Sequence, residues 1–360
     1  MTSPDSQQQV WRLVDANFNR ISEGLRFLEE IARFLLNDTE LSQQLKTLRH
    51  QTASSDWPMQ KQLLNTRDAE RDIGINLKVL GESRERELPL AMVANARRAQ
   101  ESLRVLEELA KTPEVASKLD SQKLQQFRFD LYTIEQKLLS RLMRKDKTAH
   151  IQGLYAIIDT QTLGGRRHIE VASELIRGGV RTIQLRDKAL AKKELLPIAQ
   201  ELRDLCSEHS VLFLINDHLD LALATDADGL HVGQDDLPVK AARRLLPIDK
   251  ILGCSARTVE QAKAAEASGA DYIAVGSIYP TSSKETAQLV GLERLRQIKE
   301  VTTLPLVAIG GINQNNAAEV VAAGADAIAV ISALLKADDP QTAAQQIISR
   351  LEGNNGQVNR

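Results

Sequence analysis

Cysteine, aromatic residues and long apolar runs are all scarce in this chain of 360 residues. Its two cysteines, Cys206 and Cys254, are too few for a disulfide framework or a zinc ligand set, which favours a reducing, cytoplasmic location. No run of about eighteen apolar residues occurs, so the sequence predicts no membrane-spanning helix. The first nine residues are polar, unlike a secretory signal. Aromatic residues make up only 3% and the net charge is −2, which argues against a nucleic-acid platform of basic patches and stacking rings.

Glycine is distributed unevenly and divides the chain. Three of the 19 glycines lie in residues 1–150 and all the others lie in residues 151–360. Glycine suits tight turns and is disfavoured inside helices, so the first part predicts helices and the second predicts strands and loops. The polar run 141–148 is the expected junction. We therefore expect an all-α helical domain over residues 1–147 and a second domain over residues 148–360.

The first part contains an internal repeat. Asn17–Ala32 recurs 78 residues later as Asn95–Ala110, and nine of the sixteen positions are identical. Leu25, Leu28 and Ile31 fall on one stripe of an amphipathic helix. One interpretation is a pair of pseudo-symmetric helices with interlocking polar groups. The other is an anionic-ligand site lined by Arg20, Arg26, Arg98 and Arg104.

The second part alternates between β-rich runs and helical segments. Several helical segments end in a glycine that leads directly into the next run, as a helix C-cap before a parallel strand does. Eight such units in about 200 residues predict a (β/α)8 TIM barrel, with a doubly wound sheet as the alternative. In a barrel, the carboxyl ends of the strands line the active face. The eight predicted strands are Leu154–Asp159, Thr182–Arg186, Leu212–Asp217, Gly229–Gly233, Ile251–Ser255, Tyr272–Tyr279, Leu306–Ile312 and Ala327–Ser332.

Charged side chains cluster at the ends of the second, third and fourth predicted strands. Gln184, Arg186 and Lys188 alternate, so they share one face, and their donors suit a phosphate or a polar heteroaromatic ring. Asp217 and Asp236 follow the next two strands. Carboxylate oxygens are ligands that Mg²⁺ prefers, while the alternative for both residues is helix capping.

Hydroxyl groups and glycines follow the fifth to eighth strands. A hydroxyl-rich loop that ends in lysine can bind phosphate from several sides. Backbone amides after strands seven and eight form the commonest phosphate site of these barrels, and a glycine pair there permits close approach. The alternative for Ser255 is capping of the following helix. The candidate phosphate-binding residues of this group are Ser255, Thr281, Ser282, Ser283, Lys284, Gly310, Gly311, Ile331 and Ser332.

The order of these motifs over residues 152–350 resembles that of the thiamine-phosphate synthase family. The matching motifs are Gln-Leu-Arg-Asp-Lys, Asn-Asp, His-Val-Gly-Gln-Asp-Asp, Gly-Ser-Ile-Tyr-Pro-Thr-Ser-Ser-Lys, Ile-Gly-Gly-Ile and Val-Ile-Ser. The resemblance implies a Mg²⁺-dependent transferase that joins an aminopyrimidine carrying a diphosphomethyl group to a thiazole carrying a phosphoethyl group. The products would be thiamine phosphate and pyrophosphate, formed through a dissociated pyrimidine cation. It also implies small phosphorylated substrates as partners, no nucleic acid and no membrane, with homo-oligomerisation left open.

The resemblance further implies a role for each matching residue. The pyrimidine diphosphate would be held by Gln184, Leu185, Arg186, Asp187, Lys188, Asn216, Ser255 and Lys284. The thiazole phosphate would be held by Thr281, Ser282, Ser283, Gly310 or Gly311, Ile331 and Ser332. Mg²⁺ would be bound by Asp217 and Asp236, and the catalytic groups would be Lys188, Lys284 and Ser255. Two positions depart from the family pattern: Ser283 stands where threonine is usual, and Asp187 where glutamate is common.

Two other functions stay open at this point. A thiazole tautomerase shares the barrel without coupling two substrates, and a non-catalytic sensor would only bind thiamine precursors. The helical part could supply a second activity, dimerisation or regulation.

Overall fold

The computed structural model describes residues 4–52, 57–67, 87–281 and 288–355. The chain divides into two compact units, Met1–Met143 and Arg144–Arg360. This division falls inside a long helix, Ser121–Ala149, whereas the sequence placed the junction after residue 147. No helix among the described residues combines the length and the apolar character that crossing a membrane requires.

The described residues of the first unit form helices joined by turns, and they include no strand. A π-helical turn, Ile31–Leu35, continues the first helix. The helices are α1 (Pro4–Glu30), α2 (Thr39–Thr52), α3 (Trp57–Thr66), α4 (Leu88–Leu109) and α5 (Ser121–Ala149).

The two copies of the internal repeat form α1 and α4, which pack against each other. Leu25 and Leu103 occupy equivalent positions and are both completely buried, as the apolar stripe predicts. Gly24 allows the two backbones to approach closely, because a Cβ atom at this position would lie 2.8 Å from the carbonyl oxygen of Asn95.

The polar residues of the repeat interlock with neighbouring helices. Glu29 and Glu107 are equivalent, both are buried, and each accepts a hydrogen bond from an arginine of another helix. These pairs are Arg49 Nε to Glu29 Oε2 at 2.9 Å and Arg128 Nε to Glu107 Oε1 at 2.5 Å. Arg26 and Arg104, two of the arginines considered as ligand-binding, each pair with glutamates of their own helix. These contacts agree with interlocking polar groups at Glu29 and Glu107, and the anionic-ligand interpretation stays a prediction for Arg20 and Arg98.

The second unit is a closed parallel barrel whose eight strands are neighbours in chain order. This confirms the predicted (β/α)8 architecture and excludes the doubly wound alternative. The strands are β1 (Gly153–Asp159), β2 (Thr182–Arg186), β3 (Leu212–Asn216), β4 (Gly229–Val232), β5 (Ile251–Ala256), β6 (Tyr272–Gly276), β7 (Leu306–Ile309) and β8 (Ala327–Val330).

Helices of the barrel unit follow the strands. Gly179, Gly269 and Gly324 take positive φ angles of 96°, 97° and 107° just after α6, α10 and α12, which confirms the glycine C-caps expected between helix and strand. The helices are α6 (His168–Arg177), α7 (Lys192–Glu208), α8 (Leu219–Ala224), α9 (Val239–Leu245), α10 (Val259–Ala267), α11 (Gly291–Lys299), α12 (Ala317–Ala322), α13 (Ser332–Leu335) and α14 (Pro340–Asn355).

Several strands end earlier than the sequence predicted. Asp217 leaves β3 with φ +62°, and Gly310 and Gly311 leave β7 with φ +103° and +65°, values outside the β region. β8 stops at Val330 because Ser332 already begins α13. β4 and β6 likewise end before the predicted Gly233 and Tyr279. These chain reversals place polar groups over the carboxyl end of the barrel.

Candidate active site

A cavity opens at the carboxyl ends of the strands, and most of the predicted site residues line it. They come from the ends of seven strands, so the fold collects groups that are up to about 150 positions apart in the chain. The predicted residues that line the cavity are Gln184, Arg186, Lys188, Asn216, Asp217, Asp236, Ser255, Thr281, Gly310, Gly311, Ile331 and Ser332.

Leu185 and Asp187 do not line the cavity, although the family resemblance implied both. Successive residues of a strand point to opposite faces, so they turn away where Gln184, Arg186 and Lys188 turn inward. Leu185 is buried in the layer of side chains between barrel and helices. Asp187 stabilises its own loop, because its Oδ1 accepts hydrogen bonds from the backbone N–H groups of residues 189 and 190.

Three further predicted residues, Ser282, Ser283 and Lys284, lie outside the described residues. Their roles stay predictions.

The two predicted metal-binding carboxylates interact directly. Burial and the neighbouring Asp236 carboxylate raise the pKa of Asp217. Burial also opposes ionisation of Asp236, but hydrogen bonds from Asp217 and from the Gly233 N–H hold the pKa of Asp236 below its ordinary value. Lys188 Nζ lies 3.4 Å from Asp217 Oδ2. Helix capping does not explain either residue, because neither α8 nor α9 has a side-chain cap at its start.

The chemistry of this carboxylate pair fits a magnesium ion. Two adjacent carboxylates repel each other when both are ionised, and a divalent cation between them removes that repulsion. Mg²⁺ is commonly bound by one or two carboxylates, with water and substrate phosphates completing its six ligands. Within the described ranges, no group of three or more His, Cys, Asp and Glu side chains could enclose a metal on its own. The remaining ligands would therefore come from water and substrate.

The cavity floor holds a chain of hydrogen bonds that the sequence did not reveal. Gln184 Nε2 donates to the Tyr155 hydroxyl at 2.7 Å, and this hydroxyl lies 3.0 Å from that of Tyr272. The Tyr272 hydroxyl lies 3.0 Å from His231 Nδ1, and His231 Nε2 lies 2.9 Å from Ser255 Oγ. All five side chains line the cavity. Tyr155 and Tyr272 are polar aromatic residues on β1 and β6, and their placement on strands was the one feature of the sequence that could have suggested these hydrogen bonds.

One glycine makes room for this hydrogen-bond chain. A Cβ atom at Gly253 on β5 would lie 2.0 Å from Cζ of Tyr272, closer than any real contact. The Tyr272 ring therefore crosses the barrel interior through the space that this glycine leaves, and it stacks on the His231 ring with the two centroids 5.6 Å apart.

Burial lowers the pKa of His231 to about 4, which gives a testable pH dependence of stability. The unfolded histidine has a pKa of about 6.5, so below that pH the unfolded chain binds a proton that the folded site rejects. The free energy of unfolding should therefore fall as the pH drops from about 6.5 towards about 4, by roughly 3 kcal/mol in total. Urea unfolding of the wild type and of His231→Gln at several pH values measures this difference. An equal loss of stability in both proteins would contradict the assignment.

A cation that the sequence did not single out also lines the cavity. Arg257 follows β5, and in the described part of the chain its guanidinium group has no carboxylate partner. By contrast, Arg186 pairs with Asp159 and Lys188 with Asp217. Arg257 stands two residues after Ser255, so alternation with this candidate residue was the signal that could have found it.

A parallel barrel with a carboxylate pair, cations and a glycine-rich loop at its strand ends defines a TIM-barrel enzyme with a site suited to phosphorylated ligands. Residues 154–334 match the family model described as thiamine monophosphate synthase. The chain belongs to the thiamine-phosphate synthase family and is therefore a transferase of thiamine biosynthesis. This membership favours an enzyme over the non-catalytic sensor considered above.

Relatives support this membership over both units. The chain is 37% identical to a thiamine-phosphate synthase from Synechocystis over 347 residues, which covers 96% of this chain and 97% of the relative. A second thiamine-phosphate synthase, from Methanospirillum hungatei, is 51% identical over 195 residues, which is 54% of this chain and 95% of the relative. The solved thiamine phosphate pyrophosphorylase from Pyrococcus furiosus superposes with a TM-score of 0.54 at 39% identity, over 58% of this chain and 98% of that one.

The helical unit has a family match of its own. Residues 12–137 match the model of the ThiD2 family. The Methanospirillum relative aligns over little more than half of this chain yet nearly its own full length, whereas the Synechocystis relative aligns over both units. Synthase relatives therefore occur both with and without a counterpart of the helical unit.

Proposed function

We propose that the cavity couples 4-amino-2-methyl-5-(diphosphomethyl)pyrimidine to 4-methyl-5-(2-phosphoethyl)thiazole in a Mg²⁺-dependent reaction that releases pyrophosphate. The observation that carries this proposal is the pairing of Asp217 and Asp236 beside Lys188 at the carboxyl end of the barrel. A diphosphate leaves readily only when its negative charge is neutralised, and this corner of the cavity supplies the groups for that task.

Asp217 and Asp236 would hold the ion, and bound Mg²⁺ would neutralise charge on the departing pyrophosphate. Lys188 contributes a cation on the same side and also favours ionisation of Asp217, 3.4 Å away. Asn216 and Gln184 also line the cavity and offer amides for the pyrimidine ring. Binding of the two substrates in one cavity would supply the orientation that the coupling needs.

The thiazole phosphate is assigned to the opposite side of the cavity, where β6, β7 and β8 end. Gly310 and Gly311 are half-buried, line the cavity and take positive φ angles. The Tyr279 N–H donates to the Gly310 carbonyl oxygen at 3.0 Å, so the loop after β6 lies against this glycine pair. Thr281 and Ser332 add hydroxyl groups to the same wall.

A dissociative mechanism needs neither a protein nucleophile nor a strong base. The serine–histidine pair of the cavity is poorly suited to either role. Ser255 and His231 are hydrogen-bonded, a pairing that in hydrolases activates serine. Here burial lowers the pKa of His231 to about 4, and its Nδ1 faces the Tyr272 hydroxyl instead of a carboxylate. His231 is therefore a weak base, and Ser255 is better suited to hydrogen bonding with substrate than to attack.

The coupling reaction itself is the direct test. The full chain, incubated with both substrates and Mg²⁺, should form thiamine phosphate and pyrophosphate in equal amounts, and chelation by EDTA should abolish both. Formation of a thiazole isomer without thiamine phosphate would indicate a tautomerase and contradict the proposal.

Arg257 should contribute to binding of the pyrimidine diphosphate, because it is a cavity-lining cation without a carboxylate partner among the described residues. We expect Arg257→Met to raise the KM for this substrate about tenfold, the usual effect of losing one charge-assisted hydrogen bond. Arg244→Met is the matched control, since Arg244 is exposed in the last turn of α9 and does not line the cavity. Equal KM values for the two variants, measured by pyrophosphate release, would show that Arg257 does not contribute to binding of the pyrimidine diphosphate.

A further inference from the structure

One bond in the hydrogen-bond chain on the cavity floor has a fixed donor, and the direction of the others follows when every hydroxyl proton is used. The amide nitrogen of Gln184 can only donate, so the Tyr155 hydroxyl oxygen accepts. The single proton of Tyr155 then goes to the Tyr272 oxygen, 3.0 Å away. Because Tyr272 accepts this proton, its own proton goes to Nδ1 of His231, also at 3.0 Å.

The direction continues through the imidazole ring. The imidazole lies between the Tyr272 hydroxyl and Ser255 Oγ, and among the described residues no carboxylate bonds to either ring nitrogen, so we take the ring as neutral with one proton. With Nδ1 accepting from Tyr272, that proton sits on Nε2, which donates to Ser255 Oγ at 2.9 Å. No acceptor among the described residues takes the hydroxyl proton of Ser255, so this proton is available to a ligand in the cavity.

The two ends of the chain therefore offer opposite hydrogen-bonding groups. Ser255 presents a donor, which suits a phosphate oxygen. At the other end, the Gln184 amide is oriented by its bond to Tyr155, and within the described residues no protein donor reaches its carbonyl oxygen. That oxygen is an acceptor, which suits an amino group. The proposed pyrimidine substrate carries both an amino group and a diphosphate.

We propose that Tyr155, Tyr272 and His231 are positioning residues that orient Gln184 as an acceptor for the pyrimidine amino group and Ser255 as a donor to the diphosphate. This inference rests on the proposed function for the identity of the substrate. None of the three residues needs to transfer a proton during the reaction. They act by fixing which atoms of Gln184 and Ser255 face the ligand, at the bottom of a cavity where reorientation would break buried hydrogen bonds.

The tautomer of His231 tests the direction without any assay of activity. In the full chain labelled with ¹⁵N-histidine, the resonances that disappear in His231→Gln identify this ring. At neutral pH we expect Nε2 to be protonated and Nδ1 unprotonated. In Tyr272→Phe, which removes the donor to Nδ1, the tautomer preference should weaken. Protonation on Nδ1 in the wild type would overturn the proposal, even if the chain proves to be an active synthase.

Kinetics test the consequence for the substrate. In Tyr155→Phe and Tyr272→Phe we expect kcat/KM for the pyrimidine diphosphate to fall about tenfold, while the KM for the thiazole phosphate stays unchanged. Tyr132→Phe is the control, because this tyrosine is exposed on α5. Equal changes in the KM values of both substrates, or an unchanged kcat/KM for the pyrimidine diphosphate, would overturn the proposed role. If a tyrosine variant does not fold, the wild-type tautomer still decides the direction of the chain.

Discussion

Asp217→Asn should lower kcat for thiamine phosphate formation by about 10³-fold, the size of effect seen when a group that stabilises developing charge is removed. The substitution keeps the size of the side chain but removes one of the two charges that would hold Mg²⁺. It also removes the carboxylate that lies 3.4 Å from Lys188 Nζ, so this cation loses its partner. Binding of the thiazole phosphate should change little, because its assigned wall is formed by the ends of β6, β7 and β8. Pyrophosphate release and equilibrium binding of the thiazole phosphate measure the two effects separately.

Asp235→Asn provides the matched control for this experiment. Asp235 precedes Asp236 in the chain but is exposed and does not line the cavity. The control should retain wild-type kcat. Comparable losses in Asp217→Asn and Asp235→Asn would show that general surface charge matters, and not a specific metal-binding pair.

Gly310→Ala should raise the KM for the thiazole phosphate by about 100-fold, because displacement of a binding loop by about 1 Å has effects of this size. A Cβ atom here would lie 2.1 Å from Ser277 Oγ and 2.8 Å from Ser277 Cα, so the loop after β6 must move. The positive φ angle of +103° adds backbone strain for any residue with a Cβ atom. The KM for the pyrimidine diphosphate should change much less, since the carboxylate pair lies across the cavity.

Gly165→Ala separates backbone strain from the loss of space. Gly165 also has a positive φ, +87°, but nothing lies within 4 Å of a Cβ atom at this position. This variant should lose some stability and keep its KM values. A wild-type KM for the thiazole phosphate in Gly310→Ala would mean that the phosphate does not bind at the glycine pair.

Periodicity was enough to predict the barrel and one face of its site. Alternation from β2 into the loop after it placed Gln184, Arg186 and Lys188, which line the cavity, on one face. The family resemblance assigned roles to whole motifs and therefore included Leu185 and Asp187, which the strand turns away from the cavity. Pattern alone could not fix where strands end, since the positive φ angles after β3 and β7 are set by how each loop packs.

Contacts between distant strands could not be predicted from one sequence. Tyr155, His231 and Tyr272 stand on β1, β4 and β6, and their hydrogen bonds depend on the closure and register of the barrel. Each residue on its own looks like an ordinary packing residue. The long-range pairing of Ser255 with His231 is likewise a product of the fold, and so is the burial that lowers the pKa of His231.

Binding of a divalent cation tests the central claim most directly. Mn²⁺ reports on magnesium sites through its electron paramagnetic resonance signal, which weakens as the free ion is bound. With pyrophosphate present, and after subtraction of the Mn²⁺ that it binds without protein, the wild type and Asp235→Asn should bind one Mn²⁺ per chain, and the double variant Asp217→Asn/Asp236→Asn should bind none at the same concentrations. Unchanged Mn²⁺ binding by the double variant would contradict the assignment of these two carboxylates as the metal site.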